Sequence, residues 1–360
     1  MLARDGRAVF GMGQRSIALA RAGVKLGLRA AAKGCIPWAR METPGAPPNS
    51  ERLGTPSPPS LPTPFVDPAV AAAPLQQPPP FVRPCTFEQL AALPDEYIDA
   101  ARGAALIARD AYATLDVERT LGRLDELAAP LVAAAADLRS LSPAAQADAV
   151  SSHLYGHHGF RGNEQDYYDP KNSLLPDVLD RKLGIPITLA LVYCEVAHRA
   201  GIRARGVSFP GHFLVRVDPP GREDAAVAVD PFFGGRKLDE AGLRRLLERA
   251  MPAQQLVLAE HLAPASPRTM LVRMLINLKW IHATRGDFAR ALLALDRIIC
   301  LTPDSVPALR ERGMLAARLG AVESARADLS RLLELVPQAP DAPSIRQHLE
   351  ELRARASVLN

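Results

Sequence analysis

Cysteines, aromatic residues and long apolar runs are all scarce in this chain. Its 360 residues hold four cysteines (Cys35, Cys85, Cys194 and Cys300), far apart and without a CxxC pair. That excludes a dense disulfide framework and fits free thiols in a reducing cytosol. The longest nearly apolar runs, 127–136 and 185–194, are ten residues each and each contains a proline. A membrane helix needs about 20, so a spanning protein is not expected. Aromatics reach only 5% while proline reaches 33 residues, so part of the chain should lack a packed core. The length is still enough for two ordinary domains.

Charge is unevenly spread. The net charge is +4, yet residues 1–40 alone hold eight basic residues against one acid, Asp5. The basic pI therefore belongs to the first residues and is no footprint for nucleic acid. Two readings of that stretch stand side by side: an amphipathic, Arg- and Ala-rich transit segment, or an over-extended start with translation beginning at Met41. Residues 41–85 read as a proline-rich linker, with Pro56, Pro58, Pro59, Pro62, Pro64 and 78–80 favouring extended chain. The expected organisation is an N-terminal extension over 1–85, a first domain over 86–265 and a helical module over 266–360.

Order should begin at Thr86, whose spacing to Gln89 is that of a capping box. From Asp95 to about Leu141 leucines recur mostly at threes and fours amid alanine, a helical pattern. Ser142-Pro143 reads as the start of another helix, running to about Tyr155. Residues 156–183 form a long Gly- and Tyr-bearing segment holding His158, Asn163, Tyr167 and Asn172, with Ser173 placed to cap a short helix. Loops of that length inside a compact domain are usually binding segments. Pro186 opens an apolar helix that Gly201 ends. Strand-like alternation follows at 205–209, 212–217 and 225–229, with a hairpin loop over 218–224. A further helix is expected over 239–250.

Beyond Pro267 a longer period sets in. Gly286 and Gly320, Ala291 and Ala325, Leu295 and Leu329, and Pro303 and Pro337 are each 34 residues apart. That spacing is similar to tetratricopeptide repeats, two full units and a closing helix. Such repeats stack helix pairs around a concave surface that holds a peptide or helix of a partner. The alternative is a purely structural extension covering the first domain.

The sharpest local pattern is a pair. A hairpin loop centred on Gly221 puts His212 opposite Asp230, with Phe213 and Val229 on the other face. A carboxylate there accepts the imidazole N–H and fixes its tautomer, half of a nucleophile–base–orienter system. The same pair serves equally as a tie between two strands. A metal reading of His153 and His157 lacks a third ligand of the right geometry, so no metal or cofactor is expected.

The run from Gly184 to Arg205, then Pro210-Gly-His-Phe213 and Asp230-Pro-Phe-Phe-Gly-Gly235, resembles the transglutaminase-like core. More closely it resembles bacterial SirB-type proteins, in which that core precedes tetratricopeptide repeats. The segments 158–163, 167–170 and 172–173 look like the same family. The resemblance implies a papain-like α+β fold, helices packed on an antiparallel sheet, followed by an all-α repeat module. It matches the family's His to His212 and its Asp to Asp230. The family's nucleophilic Cys, counted back about fifteen residues from Gly201, falls on Pro186, which has no nucleophile. Cys194 lies about 12 Å further along the helix and about 80° around it, and reads as a core residue. Thr188 is nearer the helix start and is the weaker candidate for a hydroxyl nucleophile. The expectation is a cytoplasmic scaffold or regulator that binds protein or peptide through its cleft and repeats, with no nucleic acid or membrane partner. The alternative is a hydrolase or acyltransferase on amide or ester bonds that uses His212 and Asp230 with water or a non-cysteine nucleophile.

Overall fold

The computed structural model describes residues 83–219, 226–251 and 257–358. The basic N-terminal stretch, nearly all of the proline-rich linker and the tip of the loop after Asp218 lie outside the described residues. Helix α1 (Phe87–Ala91) opens with the expected capping box: Thr86 Oγ1 accepts from the Gln89 amide at 3.3 Å, and Gln89 Oε1 accepts from the Thr86 amide at 3.3 Å. The helical stretch expected over 95–141 is broken into α2 (Ala100–Ala108), α3 (Val117–Ala133) and α4 (Ala135–Ser140). Asp99 and Asp116 set the starts of α2 and α3. Each turns its carboxylate onto an amide three residues ahead and starts a new helix. Helix α5 (Pro143–Ser151) starts on the Ser142 cap and runs into a π-helical turn, Ser152–His157.

Two small elements escape the alternation pattern because each is only two residues long. Strands β1 (Arg161–Gly162) and β2 (Leu183–Gly184) pair in parallel. Helix α6 (Leu175–Arg181) lies between them. Its cap differs from expectation: Leu174 holds the N-cap position, and the buried Ser173 hydroxyl makes no capping bond. Helix α7 (Pro186–Arg199) is buried along almost its whole length. It packs against α3 and against strands β3 (Ala204–Val207) and β4 (Leu214–Val217). Those strands continue into β5 (Val227–Asp230) and β6 (Arg236–Leu238), an antiparallel sheet in the order β3-β4-β5-β6. Helix α8 (Glu240–Ala250) follows, capped by Asp239.

The register differs from the one expected. Val215 pairs with Val229, Arg216 with Ala228 and Val217 with Val227, two residues out from a loop centred on Gly221. A two-residue slip preserves which face each side chain occupies. Phe213 and Val229 are buried as expected. His212 is no longer directly opposite Asp230 but lies just before β4, diagonal to it.

Five helices complete the chain: α9 (Pro267–Thr284), α10 (Phe288–Leu301), α11 (Val306–Arg318), α12 (Val322–Leu335) and α13 (Ala342–Val358). The 34-residue period is physical. Gly286 and Gly320 both take left-handed φ, +76° and +82°, at the two helix–helix turns. Ala291 and Ala325 are both fully buried. Helix α9 belongs to the first core: Met270, Leu271, Met274 and Leu275 pack with α2 and α7. At Gly103 the approach is so close that a Cβ would fall 2.4 Å from Leu271 Cδ1. A second, separate core joins Leu309, Ala325, Leu329, Leu332 and Ile345.

Candidate functional site

Asp230 ends β5, and the chain then turns sharply through Gly234 and Gly235, both left-handed at φ +71° and +70°. That turn folds backbone amides back onto the carboxylate. Asp230 Oδ1 accepts from the amides of Phe232 and Phe233 at 3.1 and 3.3 Å, and Oδ2 accepts from the Arg236 guanidinium at 3.3 Å. His212 Nε2 donates to Oδ1 at 2.9 Å. Burial alone would raise the Asp230 carboxyl; the His212 hydrogen bond and charge, Arg236 and the Phe233 amide outweigh it and hold it below its ordinary value. The imidazole and the carboxylate are shut off from solvent, with side-chain exposures of 1% and 0%.

Among the described residues, neither candidate nucleophile, Thr188 or Cys194, is among the hydrogen-bond partners of this pair. Pro186 occupies the first turn of α7, where its missing N–H costs nothing. The Thr188 hydroxyl is saturated by backbone: it accepts from the Ile185 amide at 3.1 Å and donates to the Asn172 carbonyl at 2.7 Å. It caps α7 and ties it to the loop beneath. Cys194 is buried among core residues, and burial pushes its thiol far above the usual range.

The loop residues sort into two groups. Asn163 and Asn172 are buried and bonded to each other at 3.0 Å, and Asn172 also donates to the carbonyls of Asp166 and Tyr167. These bonds shape the loop. His158 and Tyr167 are partly exposed. The His158 ring lies edge-on to His153, 4.5 Å between centroids, and burial together with His153 lowers its pKa. His153 itself is committed to the Leu127 carbonyl at 2.8 Å. Among the described residues no cluster of His, Cys, Asp or Glu could hold a metal ion. Tyr167 touches Phe232 at 5.8 Å and Tyr168 at 5.2 Å, and Tyr168 touches Trp280 of α9 at 4.7 Å.

Sequence reasoning missed Arg236 and the Phe232 and Phe233 amides as partners of Asp230. The signal was present in Asp-Pro-Phe-Phe-Gly-Gly, an Asx-type turn followed by residues free to take positive φ. It missed the approach at Gly162 as well. That amide donates to the Phe232 carbonyl at 3.2 Å, and a Cβ there would sit 2.7 Å from the same oxygen.

Comparison with known proteins agrees with this architecture. Residues 118–276 match the transglutaminase-like superfamily and residues 278–350 match a tetratricopeptide repeat model. No solved structure matches the chain significantly. A UPF0162 protein of Pseudomonas aeruginosa is 34% identical over 232 residues, 64% of this chain and 83% of that protein. F-box only protein 21 of Homo sapiens is 32% identical over 182 residues, 48% of this chain but 28% of that protein. A UPF0162 protein of Xylella fastidiosa strain 9a5c is 40% identical over 272 residues, 74% of this chain and 94% of that protein. By that likeness the chain, with its transglutaminase-like domain joined to tetratricopeptide repeats, belongs to the UPF0162 family.

Proposed function

We propose that this chain is a cytoplasmic scaffold or regulator that binds protein or peptide segments, and that its transglutaminase-like domain carries no efficient acyl-transfer chemistry. One observation supports the reading above all. By the family resemblance Pro186 falls at the nucleophile position, and the other candidates, Thr188 and Cys194, are a backbone cap and a core thiol. General-base chemistry needs the imidazole within reach of a substrate proton, and His212 is enclosed. On this reading the His212–Asp230 pair is a tie that fixes the start of β4 to the turn after β5.

Binding then falls to surfaces such as the repeats. Helix α11 and its C-cap leave Met314 and Leu319 nearly half exposed, at 47% and 46%, apolar area that a partner helix or extended peptide would cover. Selection of a displayed random peptide library against the full chain tests this. Selected peptides should bind wild type and His212→Ala alike and lose about tenfold in affinity against Met314→Glu. Binders that ignore Met314→Glu but need His212 would place recognition in the transglutaminase-like cleft and overturn this assignment.

A further inference from the structure

The two edges of the four-stranded sheet are treated differently. The outer edge of β3 is covered: Val207 bridges to Pro264, and the Ala265 amide donates to the Gly206 carbonyl at 2.8 Å. The outer edge of β6 pairs with no further strand among the described residues. An edge without a strand partner presents backbone donors and acceptors that another strand can pair with.

A groove of about 650 Å³ runs along that edge, walled by Ala144 of α5 on one flank and Leu246, Arg245 and Arg249 of α8 on the other. Its charge is one-sided. Arg236, Lys237, Arg245 and Arg249 line it against a single carboxylate, Asp239, which is occupied as the α8 cap, accepting from the Gly242 amide at 2.7 Å. Arg236 is turned to Asp230 and stacked 4.7 Å from the Phe233 ring, and Lys237 meets Asp148 at 2.6 Å. Arg245 and Arg249, one helical turn apart and both exposed, have no ion-pair partner among the described residues. Two unneutralised guanidinium groups beside an open strand edge supply charge steering and backbone pairing in one place.

We propose that this groove takes an extended acidic peptide segment, which adds to β6 as a fifth strand and sets its carboxylates against Arg245 and Arg249. The surface belongs to the transglutaminase-like domain and uses no residue of the repeats, so it stands independently of the repeat-surface assignment. A peptide, rather than a small anion, fits because residues 236–238 of the edge strand line the groove and its basic residues come from two elements, β6 and α8. Nucleic acid is the less favoured occupant because no aromatic ring lines the groove for bases to stack on.

The test uses the full-length protein and a fluorescent decapeptide alternating glutamate and valine. Wild type should bind it, with affinity falling as salt rises. Arg245→Glu/Arg249→Glu should weaken binding at least tenfold, and Arg245→Ala/Arg249→Ala should weaken it less, both with unchanged urea unfolding. The same peptide N-methylated on alternate amides should also bind at least tenfold more weakly. Amide hydrogen exchange at 236–238 should slow when the unmodified peptide is added. Equal binding by the charge-reversed variant, or by the N-methylated peptide, would overturn the proposal. So would a single-stranded oligonucleotide of equal charge that binds as tightly, or inorganic phosphate that displaces the peptide at millimolar concentration.

Discussion

Asp230 gathers four donors within 3.3 Å and has no solvent-facing surface. Removing one member of such a buried set leaves the others uncompensated, at a cost of about 3–5 kcal/mol. Asp230→Asn keeps the shape and removes the charge, so it should destabilise the chain by about 3 kcal/mol at pH 7 in urea unfolding. The folded carboxyl lies below its ordinary value of 3.8. A depressed folded value gives stability that is present above the unfolded pKa and is lost as pH falls through the folded one. The gap between wild type and Asp230→Asn should therefore be constant from pH 7 to about 5 and shrink below about 4. A gap that stays constant to pH 2 would show that the charge contributes nothing. The facing of His212 and Asp230 was legible from the sequence because strand alternation has period two. The exact register was not, because it depends on a loop whose geometry the alternation does not encode.

Helix α7 keeps the outline that the family resemblance implies, with a proline in its first turn. Pro186 still starts it, Gly201 at φ +75° still ends it, and Thr188 turns its hydroxyl inward to the backbone. The helix is buried on nearly every face, so Cys194 has no route to solvent. Peptide-level mass spectrometry after brief treatment with a small alkylating agent should find Cys85, which is exposed, modified in the native protein. Cys194 should be modified only after denaturation. Rapid native labelling of Cys194 would contradict its placement in the core. The start of α7 and the caps at Thr86 and Ser142 were legible because cap residues announce themselves locally. The helix starts at Asp99 and Asp116 were not, because the apolar residues of the stretch read as one helical pattern while these aspartates act through bonds to amides three residues ahead.

At the scale of the whole molecule, the first repeat is part of the transglutaminase-like core and the second is not. Helix α9 lays Met270, Leu271, Met274, Leu275 and Leu278 into the first core. Arg268 reinforces it, donating to the carbonyls of Ala91, Leu93 and Leu301 at 3.1, 2.6 and 2.8 Å. Exposing five such side chains costs on the order of 10 kcal/mol, comparable with the stability of an entire domain. A chain ending at residue 304 should therefore fold with one cooperative urea transition, and a chain ending at residue 266 should not. Equal cooperativity in both would mean that the repeats merely lean on the first domain. The 34-residue period was legible because glycine turns and small buried alanines recur at fixed offsets. The merging of α9 with the first core was not, since it rests on a contact between Gly103 and Leu271, 168 positions apart in the sequence.

The central claim is that imidazole 212 holds strands together and does not activate a nucleophile. Turnover of a panel of peptide amides and esters, measured for wild type and His212→Ala beside their urea unfolding, tests it most directly. The account predicts no turnover above background in either protein and a loss of about 3 kcal/mol of stability in the variant. Turnover by wild type that disappears in His212→Ala, with stability unchanged, would contradict it.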